Sequence, residues 1–295
     1  MKLRLPECVW PVGAELGEGA LWQAGENAVY FVDIKGHRIH RLEPASGQTQ
    51  SWSAPDQPGF VVPLEHGGFV CGMPDGLYRF DTASGQFGKL KDVEPDLPGN
   101  RLNDGFVDAS GHLWFGSMDN AEEQPSGTLY RVNDAGNLIA QDQDYVITNG
   151  PAMSPDGRTL YHNDTMRRVV YAFDVSEDGT LSGKRIFAAI SGDGHPDGLA
   201  VDSEGFVWVA LFGGWRIERF APDGKVVEQV PFPCANVTKL AFGGDDLQTV
   251  YATTAWKGLS AAERERQPLA GGLFSFRAPV PGQPQARCRW GFAQK

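Results

Sequence analysis

Three short segments, Leu16-Gly17-Glu18-Gly19, Ile147-Thr148-Asn149-Gly150 and His195-Pro196-Asp197-Gly198, each place one oxygen-bearing side chain directly before a glycine. Taken singly, each reads as a turn or strand cap, because Asn-Gly and Asp-Gly are ordinary turn pairs. Taken together, they recur at one phase of a longer pattern. If the repeats surround an axis, Glu18, Asn149 and Asp197 converge and present two carboxylates and an amide carbonyl at one point. Hard oxygen donors of this kind suit one divalent cation. An all-oxygen site with open water positions accepts Ca²⁺, Mg²⁺, Mn²⁺, Zn²⁺ or Fe²⁺ to differing degrees.

The elements that must bring these residues together are legible from turn residues. Six times the chain shows an apolar run, a Gly/Asp turn, a second strand-like run and another turn, with polar anchors at Glu18, Asn103, Asn149, Asp197 and Thr238. Asn103, Asn149 and Asp197 are spaced by 46 and 48 residues. Repeats of about 40 to 50 residues with about four strands each are the signature of a propeller blade. Leu113-Trp114-Phe115-Gly116 after Ala109-Ser110-Gly111, and Phe206-Val207-Trp208-Val209 after Asp202-Ser203-Glu204-Gly205, show the hairpin pattern well. No stretch has sustained helical periodicity. The 37 Gly, 20 Pro and 11% aromatic residues agree with an all-β chain. The expected fold is therefore a six-bladed β-propeller, with residues 1–295 as a single domain. The leftover stretch Leu3 to Val12 is expected to close the last blade by pairing near Arg287 to Phe292.

A formal charge of −11 argues against a nucleic-acid backbone or an anionic membrane as partner. There is no apolar stretch of ~18 residues and no secretory signal, so a cytoplasmic protein is expected. The cysteines at 8, 71, 234 and 288 lack metal-ligand spacing and read as free thiols, with Cys8 and Cys288 the one pair that the proposed closing strands would bring together. No nucleophile elbow, Walker loop, dinucleotide fingerprint or His-Glu-x-x-His is present. His37 and His40 read as turn and strand-surface residues, and Asp104 before Gly105 as a turn former. His195 either reaches the site or faces solvent, and Trp215 either lines the rim or packs between blades.

With these residues in view, the chain resembles the senescence-marker-protein, gluconolactonase and luciferin-regenerating-enzyme family of six-bladed propellers. Leu16-Gly17-Glu18-Gly19 with Trp22, Asn100-Arg101-Leu102-Asn103-Asp104-Gly105, Trp114-Phe115-Gly116-Ser117-Met118, Thr148-Asn149-Gly150-Pro151 and Pro196-Asp197-Gly198 carry the resemblance in order. The C-terminal part, including Asn236-Val237-Thr238-Lys239 and Pro268-Leu269-Ala270-Gly271-Gly272, looks most like bacterial sugar-acid lactonases such as xylonolactonase. The resemblance implies that Glu18, Asn149 and Asp197 hold the metal, and that Arg101, Asn103 and Glu123 hold substrate hydroxyls, with Glu122 next in line to Glu123. The implied reaction is metal-dependent opening of an aldonolactone ring. Asp197 then serves as the base that takes a proton from water and returns it to the leaving ring oxygen. The expected partner is a small-molecule sugar lactone, neutral and polyhydroxylated, and the chain is expected to be a monomer or weak homo-oligomer. A calcium-binding regulator, a phosphotriesterase-like hydrolase and a non-enzymatic protein-binding platform are the competing readings.

Overall fold

The computed structural model describes residues 5–133 and 135–289. A short strand, β1 (Glu7–Trp10), precedes five blades built in chain order. Blade 1 is β2 (Gly17–Gln23), β3 (Ala28–Asp33), β4 (Arg38–Glu43) and β5 (Gln48–Ser53). Blade 2 is β6 (Phe60–Pro63), β7 (Phe69–Met73), β8 (Gly76–Asp81) and β9 (Gln86–Asp92). Blade 3 is β10 (Asn100–Val107), β11 (Leu113–Asp119), β12 (Gly127–Val132) and β13 (Leu138–Tyr145). Blade 4 is β14 (Thr148–Met153), β15 (Thr159–Asp164), β16 (Val169–Val175) and β17 (Leu181–Ala189). Blade 5 is β18 (His195–Val201), β19 (Val207–Phe212), β20 (Arg216–Phe220) and β21 (Val226–Pro231). Blade 6 takes β22 (Asn236–Gly243), β23 (Thr249–Ala255) and β24 (Leu273–Arg277) from the C-terminal part and β1 as its outer strand. All these pairings are antiparallel, and the arrangement is a six-bladed β-propeller.

The first strand does complete the last blade, but its partner differs from the one expected. β1 pairs with Leu273–Arg277, with Glu7 opposite Ser275 and Cys8 opposite Phe274. The Leu-Phe-Ser-Phe-Arg run of β24 supplies the alternation an inner-blade strand needs. Of the expected 287–292 stretch, residues 290–292 lie outside the described residues, as do residues 3 and 4 of the first strand. Cys288 instead forms a β-bridge to Leu64 of blade 2, whereas Cys8 lies opposite Phe274 in blade 6.

Local chemistry explains the hairpins. Asp108 and Asp202 each accept two backbone N–H groups of the following turn with one oxygen and the indole N–H of Trp114 or Trp208 with the other. The turn and the first wide core residue of the next strand are thereby fixed by one carboxylate. Six buried apolar clusters among the described residues fill the six blade interfaces, for example Trp208, Phe232, Phe242 and Phe276 between blades 5 and 6. His40 departs from its expected surface position. It is buried, packed on Trp10 and Phe31, and bonded through Nδ1 to Ser51 Oγ at 2.7 Å. One helix, α1 (Ala261–Arg266), follows β23, started by a Ser260/Glu263 capping box that six residues of weak periodicity concealed. No helix is long and apolar enough to cross a membrane among the described residues.

Candidate active site

Antiparallel pairing obliges each inner strand to alternate its side chains, yet five of the six inner strands break that rule at the same depth. The register shifts between Glu18 and Leu21 in β2, Leu102 and Gly105 in β10, Asn149 and Ala152 in β14, Pro196 and Leu199 in β18, and Val237 and Leu240 in β22. A bulge re-aims the side chain at which pairing lapses. Glu18, Asn103, Asn149, Asp197 and Thr238 lie at these bulges, so the shared phase in the sequence is a shared bulge in the fold. β6 of blade 2 pairs without a shift and supplies no polar group. The glycines after the anchors serve two needs. Gly19 and Gly150 have φ of 58° and 72°, values that other residues adopt only with strain. At Gly198 a Cβ would lie 2.2 Å from Lys239 Cδ, so absence of a side chain is required for close approach of blades 5 and 6.

The result is a cavity of about 230 Å³ at the end of the channel where the inner strands begin, its wall including Glu18, Arg101, Asn103, Asn149, Asp197 and Glu122. Glu18, Asn149 and Asp197 are 4%, 3% and 6% exposed. Asn149 is held by both ends of its amide. Its Nδ2 donates to Thr165 Oγ1 at 2.9 Å, and its Oδ1 accepts from Asn103 Nδ2 at 2.8 Å, leaving one lone pair of that oxygen for another partner. Asn103 in turn accepts from Arg101 Nη1 at 2.5 Å through Oδ1. Thr238 does not join the donor set, since its hydroxyl donates to Gly17 O at 2.5 Å.

Below the anchors lies a pair that sequence reasoning missed. Asp104 Oδ2 meets Lys239 Nζ at 2.5 Å, both buried, and also accepts from Gly150 N at 3.1 Å. Asp104 is thus part of the floor under the site rather than only a turn former. Burial drives the Glu18 carboxyl up to about 7, aided by Asp104. Burial likewise holds the Asp197 carboxyl well above its ordinary value, with Glu18 next in importance. Three buried carboxylates, Glu18, Asp104 and Asp197, face one buried ammonium, Lys239, and the buried guanidinium of Arg101, an arrangement still one positive charge short. The donor set is two carboxylates and one amide oxygen, and no cluster of three or more His, Cys, Asp or Glu side chains forms a metal cage among the described residues. Oxygen donors with unbalanced negative charge fit a hard divalent cation that keeps several positions open.

The rim differs in one respect from the expected assignment. Glu122, not Glu123, lies on the cavity wall; Glu123 is exposed, with its backbone N–H donating to Asp119 Oδ2 at 2.9 Å. Glu122 adopts φ of 63°, a left-handed turn residue that redirects the side chain, and no local pattern announces that. Glu122 Oε1 pairs with Lys257 Nζ, across the mouth from blade 3 to the loop after β23. His195 lines the cavity and bonds through Nδ1 to Thr165 O at 3.1 Å. Trp215 is exposed and outside the wall.

Known proteins resemble this chain over most of its length. The SMP-30/Gluconolactonase/LRE-like region matches residues 16–256. A 6-deoxy-6-sulfogluconolactonase of Pseudomonas putida is 37% identical over 280 residues, covering 94% of this chain and 96% of that one. An L-arabinolactonase of Azospirillum brasilense is 35% identical over 279 residues, with 92% and 91% covered. The crystal structure of a calcium-binding protein, regucalcin, from Agrobacterium tumefaciens superimposes with a TM-score of 0.92 at 28% identity, with 97% of each chain covered.

Proposed function

The chain belongs to the SMP-30/gluconolactonase/LRE-like family, and we propose that it is a lactonase that opens a sugar-derived aldonolactone with the help of one divalent cation. The observation that carries this reading is the burial of Glu18, Asn149 and Asp197 at aligned bulges, two carboxylates and an amide oxygen with too little positive charge around them. A cation held by these three residues would polarise the lactone carbonyl and stabilise the oxyanion formed when water adds. Asp197, whose carboxyl is raised by burial, accepts the proton of the attacking water and delivers it to the ring oxygen as the C–O bond breaks. Arg101, Asn103 and Glu122 hold the sugar hydroxyls so that the carbonyl faces the carboxylates. The apolar flank of Leu16, Met118 and Phe212 limits water around the reacting carbon.

The names of the two relatives, one acting on a six-carbon and one on a five-carbon sugar lactone, support an aldonolactone of five or six carbons. Each buried polar group that an alkyl lactone leaves unpaired costs about 1–3 kcal/mol, so two lost contacts amount to a preference on the order of 10². A panel of xylono-, arabinono-, galactono- and gluconolactone beside an aliphatic lactone and a phosphotriester, at fixed metal concentration and corrected for spontaneous hydrolysis, tests this. Aldonolactones are expected to lead in kcat/KM. If the aliphatic lactone or the phosphotriester leads, the sugar-lactone reading is wrong.

A further inference from the structure

The rim of the cavity is richer in positive charge than the floor. Arg101 is 2% exposed, makes no ion pair with a carboxylate among the described residues, and leaves its Nε without a hydrogen-bond partner. Lys257 meets Glu122 across the mouth, between blades on opposite sides of the ring. Lys35, in the turn after β3, is held by two neutral amides, Gln57 Oε1 at 2.8 Å and Asn120 Oδ1 at 3.0 Å. Desolvation pushes its ammonium down, and so does repulsion from Arg101 and Lys257, while Glu122 and Glu15 oppose this. The carboxylates that act on these cations are Glu122 and Glu15 at Lys35, and Glu122, Glu18 and Asp197 at Arg101. On the floor, Asp104 is matched by Lys239, and Glu18 with Asp197 are matched once a divalent cation is present. Arg101, Lys257 and Lys35 thus form a local group of cations at the mouth of a chain whose formal charge is −11.

Resting on the lactonase reading above, we propose that the mouth selects a lactone bearing an anionic group, such as a phosphate, sulfonate or carboxylate, at the end remote from the ring carbonyl, and that Lys257 holds that group. The Lys257–Glu122 pair is about one-third exposed at Glu122 and 28% exposed at Lys257, and solvent-accessible pairs of this kind contribute little stability. An incoming anion replaces Glu122 at the Lys257 ammonium, and the freed Glu122 accepts a hydrogen bond from a sugar hydroxyl. A neutral lactone gives Lys257 no such replacement. The expectation of a neutral substrate left the rim lysines, brought in by ring closure, out of account, and the proposal departs from it on that ground.

The test compares kcat/KM for gluconolactone, its 6-phosphate and a lactone with a terminal carboxylate, on metal-loaded wild type, Lys257→Met and Lys257→Arg, at low and high salt. Calorimetric binding of gluconate and 6-phosphogluconate to the same proteins gives a readout independent of turnover. Wild type is expected to favour the charged lactones by ~10-fold or more, as a charge-assisted contact allows. Lys257→Met should remove that preference, Lys257→Arg should retain most of it, and added salt should shrink it. Equal losses for charged and neutral lactones in Lys257→Met, or a wild-type preference for the neutral compound, would overturn the proposal while leaving the lactonase reading intact. If no lactone is turned over but calorimetry still shows a Lys257-dependent preference for 6-phosphogluconate, the lactonase reading fails and the anion site stands.

Discussion

At the upper end of the channel the inner strands present Glu18, Arg101, Asn103, Asn149 and Asp197, whereas further along the same strands they present Trp22, Phe106, Met153 and Val201, joined by Phe242 of β22. The upper cavity is about 230 Å³ and keeps a guanidinium nitrogen unpartnered and two carboxyls raised by burial. The lower cavity is about 90 Å³ and is crossed by the C-terminal segment. There Ser203 N donates to Pro281 O at 2.9 Å, Gln283 Nε2 to Met153 O at 2.9 Å, Cys288 N to Pro63 O at 2.7 Å and Arg289 N to Gly111 O at 2.9 Å. One set of strands thus carries two kinds of environment. Polar groups left wanting a partner mark the end where a ligand is to be bound, and satisfied ones mark the end where the ring is held shut.

This contrast makes separable predictions. Substitutions at the upper end should change kinetics with little loss of stability, and those at the lower end the reverse. The largest effect belongs to Asp197→Asn, which should lower kcat by roughly 10² to 10⁴, the range for losing a general base, with a folded near-UV spectrum. A purified variant with the wild-type rate would remove Asp197 from that role. Next, Arg101→Ala should reduce kcat/KM by on the order of 10 to 10², mostly through KM, because a hydrogen bond from a charged group is lost. Its metal titration should match wild type. Asn103→Ala should disturb both, since Asn103 Nδ2 also orients the Asn149 oxygen, and identical behaviour of the two variants would erase that distinction.

The blade walls between the two ends give a pH-dependent effect on stability alone. Burial pushes the imidazoles of His40 and His162 down to about 4 and about 3. The unfolded chain, with histidines near the ordinary ~6.5, therefore binds more protons than the native state below that pH. Stability is full above pH ~6.5 and falls as pH drops toward the folded values, by at most about 1.4 kcal/mol per pH unit for each histidine. Both ring nitrogens of His162 lack hydrogen-bond partners, so His162→Phe is the cleaner probe. Urea midpoints between about pH 7 and 4.5 should fall less steeply in the variant, and parallel curves would place the acid sensitivity elsewhere. The smallest effect is expected from Gln283→Ala at the lower end. Losing its bonds to Met153 O and Val201 O should cost about 1–2 kcal/mol in denaturation and leave kcat/KM near wild type. A kinetic defect without a stability loss would dissolve the contrast between the two ends.

The convergence of Glu18, Asn149 and Asp197, the residues proposed to hold the cation, was legible because each is encoded locally. An acidic or amide residue followed by glycine, repeated at blade spacing, reports a bulge and its re-aimed side chain at once. The Asp104–Lys239 pair is 135 residues apart in sequence, as are Glu122 and Lys257, and closure of the ring alone brings them together. Nothing near Lys257 or Lys35 in the chain signals a place at the mouth. The choice between Glu122 and Glu123 turned on one left-handed residue in a loop, where a shift of one position moves a side chain from cavity to solvent. The role of β1 followed from its being a strand without a blade, but its partner did not, because the Pro- and Gly-interrupted stretch after Arg277 runs beneath the ring instead of adding a strand to it.

Removal and return of the metal tests the central claim most directly. Protein stripped by chelation and verified metal-free by elemental analysis should keep its β-sheet spectrum, because six blade interfaces rather than the ion bury the core. It should hydrolyse an aldonolactone no faster than the spontaneous rate and recover on titration with a divalent cation. Full activity in the verified metal-free protein would contradict the account.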